Sequence, residues 1–156
     1  MPARRTPRGA PTGMNDLVRR YIKTAIVFLV LGIALGGWML AERELLGRAV
    51  SSYAVSAHTH LLLVGFLMMM ILGVALWMFP RPRPEDTSYQ PIIAEIAYWL
   101  ITGGTAGRAA GEWLHAGGST ALWLRVSTTV AGLAQIAGLV LFFATMWGRI
   151  RAPRSQ

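Results

Sequence analysis

The chain has three histidines, and all of them lie near the ends of long apolar runs, close to charged side chains. His58 and His60 stand near the start of one run, and His115 stands near the end of another, three residues after Glu112. Imidazole and carboxylate groups together suit a transition-metal ion such as copper, iron or zinc better than calcium or magnesium. His58, His60, His115 and Glu112 are therefore candidate ligands of a mononuclear metal site.

The spacing of these residues limits how they can combine. At about 100° per residue, His58 and His60 project about 200° apart on a regular helix, so they cannot easily bind one ion together. Arg108, Glu112 and His115 follow one another at steps of four and three residues and can share one helix surface. Glu-x-x-His is half of a di-iron carboxylate signature, but the sequence contains no second copy.

A haem b held between two imidazoles from different helices is the other arrangement. His58 or His60 would supply one ligand and His115 the other, while Arg108 and Arg125 stand at a suitable depth to bind the haem propionates. A third interpretation needs no cofactor. In it, the histidines bond to backbone carbonyls or water, and Arg108 pairs with the glutamate one turn along its helix.

The composition excludes several kinds of chemistry. The chain has no cysteine, so thiolate metal sites, cysteine nucleophiles and covalent haem attachment through C-x-x-C-H are all excluded. The sequence shows no nucleophile–base pair, so no catalytic residue is predicted and the chain is not expected to be an enzyme alone. The net charge of +8 comes from basic residues that flank apolar runs, which indicates membrane topology rather than a nucleic-acid partner.

Hydrophobic residues make up 54% of the chain and charged residues 14%, which predicts an integral membrane protein in contact with the lipid bilayer. A spanning helix needs about 20 apolar residues, and four segments qualify, which predicts an all-α four-helix bundle. The third segment is the weakest, since it contains Glu95, Arg108 and Glu112. The predicted helices cover residues 22–40, 53–79, 91–113 and 122–147.

Basic residues concentrate in both tails and in the loop after the second helix. The positive-inside rule therefore predicts that both termini are cytoplasmic and that the histidines lie near the outer face of a bacterial cytoplasmic membrane. Residues 1–20 are expected to form a disordered basic tail, residues 21–148 the transmembrane domain, and residues 149–156 a basic cytoplasmic tail.

Small residues indicate where helices pack closely. Gly103, Gly107 and Gly111 form two consecutive G-x-x-x-G steps on the third helix, and Gly32 and Gly36 form one on the first. Such faces let helix backbones approach each other in a membrane. Packing within one bundle is one use of the third-helix face. A homodimer interface, or a contact with subunits of a respiratory complex, is the other.

The segment AHTHLLLVGF at residues 57–66, followed by ILGVA at 71–75 and FPR at 79–81, carries a family resemblance. It resembles the histidine-bearing second helix of the haem-copper oxidase and nitric oxide reductase large subunit (subunit I), and more closely the short four-helix membrane proteins grouped with that superfamily. In the full-size enzymes this helix supplies an axial ligand to the low-spin haem. The resemblance implies that role for His60 or His58, with His60 favoured, and leaves His115 as the only histidine on another helix.

The chain has fewer histidines and fewer helices than the full-size enzymes, so the resemblance does not imply a complete oxidase. It implies a small protein with a haem b or metal site near the outer membrane face, in electron transfer or as an accessory to a respiratory complex. The alternative is a non-enzymatic membrane subunit or assembly factor, including one that handles copper, which acts through helix packing.

Overall fold

The computed structural model describes residues 12–79 and 91–147, and every regular element within them is a helix. This confirms the predicted all-α fold with four helices. The helices are α1 (Thr12–Glu44), α2 (Ser52–Met78), α3 (Pro91–Ala116) and α4 (Leu122–Trp147). We call the end that contains the loops at residues 45–51 and 117–121 the histidine end, and the opposite end the terminal end.

Helix α1 begins earlier than the sequence predicts. Residues 12–20, which were expected in a disordered tail, are helical because Leu17 and Val18 are buried and Tyr21 is completely enclosed. At the terminal end the Tyr21 ring makes edge contacts with Tyr98 of α3 and Phe142 of α4. The rest of the predicted tails, and the loop after α2, lie outside the described residues. The orientation in the membrane stays a prediction.

Helices α1, α2 and α4 are long and apolar enough to cross a membrane. Helix α3 is less apolar because it carries Glu95, Arg108 and Glu112. It nevertheless packs along α4. Ile101 of α3 contacts Gly138 of α4, and Gly111 of α3 contacts Thr128 of α4 near the histidine end. Because α3 packs lengthwise against α4, which is long and apolar enough to cross a membrane, the four helices form one multi-pass membrane domain.

Helices α1 and α2 interlock through glycines on both sides. A Cβ on Gly36 of α1 would lie 2.7 Å from Cε1 of His58, and a Cβ on Gly65 of α2 would lie 2.6 Å from the Phe28 ring. Each glycine therefore makes room for a large side chain of the other helix. The α2 segment Leu61–Met68 has π-helical geometry, which the sequence did not predict.

The glycines of α3 do not form one exposed face. Gly111 is buried against α4, and a Cβ on Gly107 would lie 3.2 Å from Cβ of Ala131 on the same helix, whereas a Cβ on Gly103 would have no neighbour within 4 Å. A four-residue step turns a helix by about 400°, so the row drifts by about 40° at each step. Gly104, one position along, contacts the α4 backbone instead. Packing within one bundle, one of the two predicted uses of this face, is therefore confirmed for Gly107 and Gly111, and an intermolecular interface stays a prediction.

Candidate cofactor site at the histidine end

The three imidazoles share one hydrogen-bonding pattern. A carbonyl oxygen can only accept, so an Nδ1 atom bonded to it carries the proton and Nε2 keeps a lone pair. Within residues 12–79 and 91–147 none of the three Nε2 atoms has a hydrogen-bond partner. Histidines that bind metals commonly have this arrangement. The Nδ1 contacts are His58 with Gly32 O (2.9 Å), His60 with Ser56 O (2.9 Å) and His115 with Ser119 O (2.8 Å).

His58 and His60 lie on opposite flanks of α2, as their spacing predicts. The His58 ring packs against Gly36 on α1. The His60 ring lies toward α3, where its Nδ1 atom is 3.7 Å from Oε2 of Glu112. The glycines of α1 give His58 its position, since a side chain at Gly36 would overlap the ring.

His115 of α3 contacts α2 near the start of that helix, before His60. Its ring stacks on Tyr53, with ring centroids 4.9 Å apart and an interplanar angle of 27°. Tyr53 precedes His60 by seven residues, which is about 10 Å along a helix at about 1.5 Å per residue. His115 therefore contacts α2 about two helical turns before the backbone of His60.

The mononuclear metal site predicted from His58, His60, His115 and Glu112 is not assembled. In the part of the chain that the structure describes, no group of three or more histidine or acidic side chains is placed to hold a metal ion. The physical reason is that α1 binds His58 on one flank of α2, while α3 and the following loop fix the other ligands elsewhere. The structure thus does not bring these four side chains together, and the single-metal site stays a prediction.

Glu112 is the centre of a buried polar network. Its side chain is 6% exposed, and Oε1 accepts hydrogen bonds from Ser56 Oγ at 2.8 Å and from Arg108 Nε at 3.0 Å. The interpretation in which Arg108 pairs with Glu112 is confirmed. Oε2 has no hydrogen-bond partner among the described residues, although His60 lies beside it.

A cleft of about 390 Å³ opens between α3 and α4 beside the start of α2, and we call it the polar cleft. It brings together Arg108, Arg125 and His115, but neither His58 nor His60 lines it. Gly132 of α4 makes room for the Arg108 guanidinium, since a Cβ there would lie 3.3 Å from Nη1. The cleft is lined by Tyr53, Arg108, Glu112, His115, Arg125, Thr128, Thr129, Gly132, Leu133 and Ile136.

These positions test whether a haem held by two imidazoles fits this chain. A haem with its propionates at Arg108 and Arg125 would find one imidazole, that of His115, in the polar cleft. The apolar groove between α1 and α3, around Ala34 and Ala109, has no imidazole in its lining. His60 lines neither of these two cavities, so the two imidazoles of the predicted pair do not line one cavity. Ligation by one imidazole fits, because no Nε2 atom has a hydrogen-bond partner among the described residues.

Sequence reasoning missed Tyr53 and Ser56. Both lie on the same face of α2 as His60, at spacings of seven and four residues, and both contact α3. This periodicity could have identified them once Glu112 and His115 were candidates. Nothing in the sequence indicates the π-helical segment that begins directly after His60.

Comparison with known proteins places the chain in a family. The family model described as Cytochrome C and Quinol oxidase polypeptide I matches residues 16–155, a range that includes most of α1 and the other three helices. This match confirms the resemblance carried by the histidine-bearing segment of α2. No curated protein and no solved structure matches the chain.

Proposed function

Because the chain belongs to the cytochrome c and quinol oxidase polypeptide I family, we propose that it is a small membrane subunit of a respiratory complex, in which a histidine of α2 binds haem b. The family generally binds haem. The observation that carries the proposal is the fixed Nδ1–H tautomer, which leaves Nε2 of each α2 histidine open as a ligand. When bound, the haem would supply one-electron transfer, which needs no acid or base from the protein.

His60 is the better of the two candidate ligands. The Nε2 atom of His58 lies 3.5 Å from the position of a Cβ on Gly36, so α1 restricts access to it. The His60 side chain is 22% exposed and lies on the flank toward α3, away from α1. His115 lines the polar cleft and His60 does not, so we propose that a second ligand comes from another chain of the complex. The histidine end would face outward in a bacterial cytoplasmic membrane, by the positive-inside rule.

The experiment is a visible absorption spectrum, oxidised and reduced, of the full chain purified in detergent after expression with haem supplied. We expect a Soret band that His60→Ala abolishes and that His58→Ala retains. His115→Ala should retain it as well, because that ring stacks on Tyr53 and lines the polar cleft, which His60 does not. Loss of haem in His115→Ala with retention in His60→Ala would contradict the proposed ligand.

A second candidate is a non-enzymatic accessory subunit or assembly factor that acts through helix packing. It is favoured by the lining of the two cavities around the site, since neither contains two imidazoles. A wild-type protein that stays colourless in membranes with abundant haem, and still co-purifies with oxidase subunits, would support it over the first. Replacing the exposed Gly103 with Leu should then weaken the co-purification.

A further inference from the structure

The polar cleft has an excess of positive charge. Arg43 pairs with Glu44, Arg48 with Glu42 and Arg108 with Glu112, so these arginines at the histidine end each have a carboxylate partner. The guanidinium of Arg125 has none within the described residues, nor do the Nη groups of Arg108, since its ion pair uses Nε. With two arginines and one glutamate in its lining, the cleft carries a formal charge of +1 when His115 is neutral.

The cationic end of the cleft lies at the edge of the membrane domain. Arg125 stands in the first turn of α4, which begins at Leu122, and the exposed Trp123 lies in the same turn. Aromatic residues of this kind mark the headgroup level of a bilayer. An arginine there is stabilised by an anion, and its planar donors suit a phosphate or carboxylate.

The lining of the cleft changes from polar to apolar along α4. Thr128 and Thr129 follow Arg125, and Leu133 and Ile136 complete the wall with exposed side chains. Ile136 comes eleven residues after Arg125, which is about 16 Å at about 1.5 Å per residue. That depth is about half of the ~30 Å hydrocarbon core. The cleft is therefore shaped for an anionic head and an apolar tail that lies in one leaflet.

His115 adds a further preference at the polar end. Its Nδ1–H is bonded to Ser119 O, so its Nε2 offers a lone pair and favours a hydroxyl donor. The threonine hydroxyls already donate to backbone carbonyls, so the arginines are left to bind the anion.

We infer that the polar cleft binds an anionic phospholipid. Its phosphodiester would lie between Arg108 and Arg125, a headgroup hydroxyl near His115, and one acyl chain along Leu133 and Ile136. A single negative charge, as in phosphatidylglycerol, matches the formal charge of the cleft. This inference does not depend on the proposed haem.

Native mass spectrometry of the full chain in detergent tests it, with phosphatidylglycerol and phosphatidylcholine of the same acyl length as probes. Arg125→Gln removes the unpaired cation, and Arg43→Gln is the matched control at the same end of the molecule. We expect tighter binding of phosphatidylglycerol than of phosphatidylcholine by the wild type. Arg125→Gln should weaken it by about tenfold, and Arg43→Gln should leave it unchanged, since one hydrogen bond to a charged group is worth about that factor. Circular dichroism of each variant checks that the helices are intact.

The results that would overturn the inference are distinct. Equal binding of the two lipids, or equal effects of the two substitutions, would show that the cleft does not select the lipid. Displacement of the lipid by inorganic phosphate at similar concentration would show that the site takes free phosphate and that the apolar wall adds nothing. The visible spectrum of the same samples separates this site from the haem. Loss of lipid with an unchanged spectrum supports the inference, whereas loss of haem in Arg125→Gln would mean that the arginine serves the cofactor.

Discussion

Replacing Arg108 and Glu112 with glutamine, singly and together, measures the strength of an ion pair within α3 whose carboxylate is buried and also bonds to Ser56 of α2. The Glu112 side chain is 6% exposed and the Arg108 side chain 30% exposed. Removing one member of a buried pair costs about 3–5 kcal/mol because the other charge loses its partner. Because Arg108 is partly exposed, water screens its charge and reduces this cost, as it does for exposed ion pairs.

The two single substitutions should not be equal. Arg108→Gln leaves the enclosed carboxylate without a cation, and we expect it to lower the free energy of unfolding by about 3 kcal/mol. Glu112→Gln keeps an oxygen that can accept from Ser56 and leaves a guanidinium that reaches the polar cleft. We expect Glu112→Gln to lower the free energy of unfolding by about 2 kcal/mol. The double-mutant cycle should give a coupling energy of at least about 1 kcal/mol.

The chain contains a matched control. Arg20 and Glu95 form an ion pair at 2.8 Å, but their side chains are 49% and 43% exposed. Exposed pairs couple by about 0–1 kcal/mol, so the same cycle at this pair should give a clearly smaller value.

Unfolding in mixed micelles with increasing sodium dodecyl sulfate, followed by circular dichroism, gives the free energies. The reasoning would be refuted if the two cycles gave the same coupling energy, or if Glu112→Gln cost more than Arg108→Gln. Either result would mean that the burial of the carboxylate does not control the strength of the pair.

Two glycine pairs give further predictions in the same unfolding assay. Gly36→Ala should destabilise by about 1–3 kcal/mol because its Cβ would displace the His58 ring, whereas Gly37→Ala meets nothing within 4 Å and should be neutral or stabilise by up to about 1 kcal/mol. Gly104→Ala should also destabilise by about 1–3 kcal/mol, because its Cβ would lie 2.7 Å from the α4 backbone. Gly103→Ala should not destabilise, because its Cβ would meet nothing within 4 Å. Equal effects within either pair would contradict the packing described here.

The apolar runs in the sequence predicted the bounds of a helix well where the helix ends at the edge of the hydrocarbon core. The bounds of α4 match the prediction, and those of α2 differ by one residue at each end. Helix α1 differs because its first turns carry Asp16, Arg19 and Arg20. Charged residues mark where the membrane core stops, but they do not end a helix. Buried Leu17 and Val18 keep it packed beyond that point.

At the site, spacing predicted relations within a helix and could not predict relations between helices. The opposite flanks of His58 and His60 and the pairing of Arg108 with Glu112 both follow from helical periodicity. The hydrogen-bond partner of His58 does not, because it depends on how α1 docks on α2. The bis-imidazole arrangement stays a prediction for the same reason, since the distance between His60 and His115 is set by the packing of two helices.

Helix α3 can lie inside the membrane domain because its neighbours match its charges. Arg20 of α1 pairs with Glu95, and Ser56 of α2 donates to Glu112, which also binds Arg108. Helices α1, α2 and α4 are apolar enough to insert by themselves, so α3 depends on them more than they depend on it. Because Glu112 of the polar cleft already pairs with Arg108, Arg125 is left as the cation of the cleft without a carboxylate partner among the described residues. Whatever binds in that cleft, lipid or cofactor, is therefore expected to present an anion to α4.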